Sequence, residues 1–88
     1  MKSYTIEFNG SGEVAEGRFK DDVAAQDWVE SVLEHRGYDA DDLVSGDWDA
    51  NGKNDDGTAC ERQLYWANDD AAKDDAGANA ICQLCVVR

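Results

Sequence analysis

The sequence predicts an α+β two-layer sandwich: one main helix on an antiparallel sheet, order β-β-α-β-β-β, with a short acidic helix before the last strand. Three observations carry that prediction. Residues 3–8 alternate apolar and polar side chains at the period of a strand, and residues 22–36 set an apolar stripe at the period of a helix. Residues 80–87 are apolar on both faces, as in an interior strand or one that faces a partner. A chain of 88 residues can bury about 63% of its unfolded surface, enough for one core and therefore one domain over residues 1–88.

Taken in order, Tyr4, Ile6 and Phe8 share one face of the first strand, and Asn9-Gly10-Ser11-Gly12 ends it. Residues 13–19 return as a second strand with Ala15, Gly17 and Phe19 on one side. In the helix, Ala25, Trp28, Val29, Val32 and Leu33 fall on one stripe, Asp21 or Asp22 caps the start, and Gly37 suits the left-handed residue past the end. Leu43 to Ala50 reads as a strand carrying Val44 and Trp48, and Asn51-Gly52 is a hairpin signal. Cys60 to Ala67 alternates as a strand. Asn68 then opens the acidic run from Asp69 to Ala76, with Gly77 as its stop.

The charge bounds the partners. Twenty acids against 8 Lys and Arg leave −12, which repels phosphate backbones and anionic lipid and so speaks against direct nucleic-acid or membrane binding. No apolar run approaches the ~20 residues of a membrane span, and the first residues read as a strand and not as a signal peptide. Three Cys cannot all pair within one chain, so the expected compartment is the reducing cytoplasm. The acids are concentrated: residues 41–78 hold 11 acids and 3 bases, whereas residues 79–88 hold only Arg88.

Among motifs, Asp47-Trp48-Asp49-Ala50-Asn51-Gly52-Lys53-Asn54-Asp55 follows the opening of an EF-hand-type calcium loop. Asp47, Asp49, Asn51 and Asp55 are its candidate metal ligands, with the Lys53 carbonyl between them, and Ca²⁺ is the one cofactor the sequence suggests. The pattern breaks at its twelfth position, where Thr58 stands in place of a bidentate Glu, and at its eighth, Asn54. Glu61 or Asp56 can substitute only in a loop of another kind, and a hairpin loop in an Asp-rich chain is the plainer reading.

Cys82-Gln83-Leu84-Cys85, with Cys60 and His35, has the count of a zinc site, but residues three apart in a strand point to opposite faces. Buried free thiols are the preferred reading, and a Cys60 disulfide requires an oxidising setting. His35 lies near the helix end with no partner in sequence, which leaves nucleophilic catalysis without support. Gly10-Ser11-Gly12 formally fits a dinucleotide fingerprint, yet a strand and Glu13 follow it, so it reads as a turn.

The sequence therefore points to a small acidic non-enzymatic protein, an interaction or regulatory module with an unknown protein partner, for which the charge favours a basic surface. Alternatives are a weak calcium-loop protein and a DNA-mimic inhibitor of a basic nucleic-acid-binding protein. Homodimerisation through the two-faced C-terminal strand is a further expectation. Fourteen of the 20 acids are Asp and only four residues are Lys, a bias that adaptation to high salt also produces.

Overall fold

The structure, a computed structural model, describes residues 1–53, 57–73 and 77–87. Its order is β1 (Lys2–Phe8), β2 (Val14–Phe19), α1 (Asp22–His35), β3 (Val44–Ser45), β4 (Asp49–Lys53), β5 (Ala59–Trp66), α2 (Asp69–Ala72) and β6 (Cys82–Val86). One fully antiparallel sheet runs β2-β1-β6-β5-β3, with β4 also on β5. The α+β sandwich is thus observed, with one strand more than expected.

β1 and β2 form a hairpin because two consecutive needs of a tight turn are met. Gly10 and Gly12 supply φ of 87° and 73°, and Phe8 N–H donates to the Glu13 carbonyl at 2.9 Å. α1 starts where Asp21 Oδ1 accepts from Ala24 N–H at 2.9 Å. It stops in a Schellman closure, Tyr38 N–H to Leu33 O at 3.1 Å and Gly37 N–H to Glu34 O at 3.0 Å, with Gly37 at φ 95°.

The helix lies on one sheet face and buries Ala25, Val29 and Leu33 against Tyr4, Ile6, Phe8, Tyr65, Cys82, Leu84 and Val86. Register explains that set: Tyr4 opposes Val86, Ile6 opposes Leu84 and Phe8 opposes Cys82, so alternate residues of both strands share the helix side. β6, apolar on both faces, is the central strand. Both its backbone edges are taken, by β1 and β5, and of its side chains turned away from the helix Gln83 is half-buried and Cys85 buried.

Two local expectations are corrected. The single strand expected over 43–50 is two, β3 and β4, because the β3–β5 ladder ends at Gly46: its N–H still bonds across to Leu64 O at 2.9 Å, but its carbonyl turns aside to accept from Gln63 Nε2 at 2.8 Å. Asn51-Gly52 is not the turn but lies inside β4, Gly52 opposite Cys60. A side chain at 52 would place Cβ 2.7 Å from Arg62 Cγ, so glycine is there to let the Arg62 stem cross the strand. The expected acidic helix is short, Asp69–Ala72, capped by Asn68 Oδ1 accepting from Ala71 N–H at 2.9 Å; its expected residues 74–76 lie outside the described residues.

The Cα radius of gyration is 12.1 Å, as expected of one domain of this length, about 12 Å. Among the described residues no helix is long and apolar enough to cross a membrane.

Candidate functional site

The sheet face away from the helix carries a polar ladder. Asp49 on β4 meets Arg62 on β5 with Nε 3.6 Å from Oδ2, Arg62 Nη1 donates to Gln83 Oε1 of β6 at 3.2 Å, and Gln83 Nε2 donates to Glu7 of β1. Beside it Cys60 and Cys85, 4% and 2% exposed, share a side-chain hydrogen bond. Burial pushes the Cys85 thiol up to about 12, with Glu7 adding to the rise, and raises Cys60 for the same first reason. Such thiols stay protonated and are poor nucleophiles and poor metal ligands at neutral pH. Cys82 stands on the opposite, helix side, fully buried and pushed up to about 12 by that burial. The Cys82-Gln83-Leu84-Cys85 sulfurs therefore face away from each other across β6.

The residues of the expected calcium loop are placed as follows. Asp49 is occupied on both oxygens: Oδ1 accepts from Asn51 N–H at 2.9 Å, and Oδ2 faces Arg62. Asp47 and Asn51 are exposed, the Lys53 carbonyl belongs to β4, and Asp55 lies outside the described residues. No cluster of three or more His, Cys, Asp or Glu able to hold a metal ion occurs among the described residues.

One concavity, of about 600 Å³, lies at the sheet end where Phe8, Asn9, Arg36, Tyr38 and Ile81 meet. Its cation is already engaged. Arg36 stacks 3.8 Å above the Phe8 ring and pairs with Glu13 at 2.6 Å, which ties the helix end to the hairpin.

A second concavity, of about 430 Å³, is acidic. Asp41 and Asp42 of the loop after α1 and Asp69 and Asp70 of the first turn of α2 surround it, all four exposed. Far apart in sequence, they meet because β3 pairs with the end of β5, Val44 opposite Trp66, so the loop leading into β3 lies beside the turn leaving β5. Lys73 approaches Asp70 at 3.5 Å on the surface, where such a pair is worth little. In the sequence these two Asp-Asp dipeptides do not stand out from the other acids of residues 41–78; their one signal is that the first precedes a strand and the second follows one. Asp27, Glu30 and Glu34 add a second exposed acidic row on the outer side of α1.

Compared with protein-family models, with curated proteins and with solved structures, the chain matches none.

Proposed function

We propose that the protein is a small, non-enzymatic interaction module that docks a basic protein segment at the acidic corner formed by Asp41, Asp42, Asp69 and Asp70. The supporting observation is that four exposed acidic residues from two separate segments line one concavity, on a framework fixed by the β3–β5 pairing. Lys and Arg side chains entering that hollow gain several weak contacts at once. The surrounding negative potential speeds their approach.

A decalysine peptide tests this, its binding read by fluorescence anisotropy at rising salt. Removing three corner charges (Asp41→Asn, Asp42→Asn and Asp69→Asn together) should weaken binding about tenfold, from three contacts of ~0.5 kcal/mol each. Removing three charges of the helix row (Asp27→Asn, Glu30→Gln and Glu34→Gln) changes net charge equally and should weaken it only about twofold, through the long-range field. Equal losses from the two triples would show a diffuse counter-charge and no site. A DNA-mimic role is the special case in which the basic segment is a nucleic-acid groove, and competition by duplex DNA for the partner reads it out.

A further inference from the structure

The sheet has two edges, and they differ. The β3/β4 edge is broken into a two-residue and a five-residue piece, with a register shift between Asp49 and Gly52. The β2 edge is a continuous six-residue strand. Phe8 N–H donates to Glu13 O, whereas Asn9 N–H donates to Ile81 O toward β6. Even-numbered residues of β1 therefore address β2, and by the register Ile6–Ala15 and Tyr4–Gly17, the odd-numbered residues of β2 address β1. The N–H and C=O groups of Val14, Glu16 and Arg18 consequently point outward, with no strand beyond them among the described residues.

Charge says what can lie there. Residues 1–20 hold three acids and three bases, so the whole −12 resides in residues 21–88, and the β1–β2 hairpin is the neutral side of the molecule. Glu16 and Arg18 are exposed, and neither has an ion-pair partner among the described residues. Two antiparallel two-fold registers keep the middle of the strand overlapped. Centring on Glu16 sets Glu16 against Glu16 of the second copy, which is repulsive. Centring on Gly17 sets Glu16 opposite Arg18 of the second copy, and Arg18 opposite its Glu16. These are hydrogen-bonded positions that exchange backbone bonds as well. Gly17 against Gly17 then occupies the close non-bonded position; on the helix side the Phe19 ring of each copy lies over its own Gly17, packed on Tyr4 and Trp28, and Ala15 stands opposite Phe19 of the second copy.

We propose that the chain self-associates as a two-fold dimer by antiparallel β2–β2 pairing centred on Gly17, which continues the sheet across both copies. The contact is small beside interfaces that bury about 1,200–2,000 Å², so the dimer is weak and forms with concentration. Two chains of −12 repel, so it strengthens as salt shortens screening from about 10 Å at 0.1 M to about 3 Å at 1 M.

The test is a charge swap followed by sedimentation velocity at concentrations up to ~1 mM and ~0.5 M salt, where long-range repulsion is screened. The wild type should dimerise. Glu16→Arg and Arg18→Glu should each weaken the homodimer about tenfold, since both pairs become like-charged. An equimolar mixture of the two variants should regain dimerisation, because each pair is again opposite in sign. Net charge alone predicts otherwise: Glu16→Arg lowers the charge on each chain and would favour association. Far-UV circular dichroism confirms that the variants fold. A wild type monomeric throughout, a dimer indifferent to both swaps, or a mixture that stays monomeric would each overturn the proposal.

Discussion

Replacing Gln63 by Leu probes how the acidic edge is held to the core. Gln63 is 5% exposed and joins three elements. Its Nε2 donates to the Gly46 carbonyl at 2.8 Å, and its Oε1 accepts from Gln26 Nε2 of α1 at 2.9 Å and from the Tyr65 hydroxyl at 3.1 Å. Leucine is close in size, so the change removes the bonds without opening a large cavity. The Gly46 bond is worth about 1 kcal/mol, the Tyr65 hydroxyl loses its acceptor inside the protein at about 1–2 kcal/mol, and the half-buried Gln26 amide turns to water at little cost. The expected loss is therefore about 2–3 kcal/mol, out of a total of roughly 4–13 kcal/mol for a chain of this length. Tm should fall by about 8–24 °C. Urea unfolding followed by circular dichroism measures it. The partner change Tyr65→Phe separates the contributions: it costs about 1 kcal/mol alone but regains about 1–2 kcal/mol beside Gln63→Leu, where it removes the orphaned hydroxyl, a coupling of about 2–3 kcal/mol. A loss under about 1 kcal/mol, or additive single changes, would refute the view that this amide joins helix, sheet and edge.

Other measurements address the thiols, the loop and the charge. Cys82 and Cys85, held up to about 12 against an ordinary 9.0, keep protons in the folded chain that the unfolded chain releases. Their contribution is complete below pH 9.0 and is lost toward pH 12, at ~1.4 kcal/mol per pH unit for each thiol, so the urea midpoint should drop steeply across that window; a midpoint flat to about pH 11 would exclude it. All three thiols should resist a disulfide reagent until the chain is unfolded. Because Asp49 is already bound to Arg62 and Asn51, terbium emission sensitised by Trp48 should not saturate below about millimolar ion. Saturation abolished by Asp47→Ala with Asp49→Ala would support the calcium reading. Finally, Tm should rise as salt increases from ~0.1 to ~1 M, because screening relieves the repulsion among Asp41, Asp42, Asp69 and Asp70; an indifferent Tm would count against a salt-adapted surface.

What was legible in the sequence was set by local period. Tyr4-Ile6-Phe8 and the Ala25-Val29-Leu33 stripe identified the two faces that meet in the core, and the two-sided apolarity of the last strand anticipated its central place. The illegible part depends on residues far apart in the chain. Asn51-Gly52 carries the local chemistry of a turn, yet the stem of Arg62 needs the space over Gly52, and that contact overrides the dipeptide preference. Gly46 offered no sign that Gln63 would draw its carbonyl out of the ladder. The acidic corner could not be read because its two halves become neighbours only through the Val44–Trp66 pairing, and no spacing within either segment encodes it.

The strand order places the two proposed contacts at opposite ends of the sheet, β2 at one edge and the β3 side with its acidic corner at the other. Pairing through β2 therefore leaves both corners free and facing away from each other, so the dimer is bivalent. Two linked sites convert the second binding event into an intramolecular one, which raises apparent affinity by ~10² or more when the partner presents several basic segments within reach. It leaves affinity for a single short segment unchanged. Glu16→Arg, which breaks the pairing without touching the corner, should bind free decalysine within about twofold of the wild type, yet dissociate much faster from a surface densely coated with the same peptide. Surface plasmon resonance at low and high peptide density measures both. If wild type and variant dissociate alike at high density while the wild type is dimeric, the two corners do not act together. The dimer would then serve some purpose other than avidity.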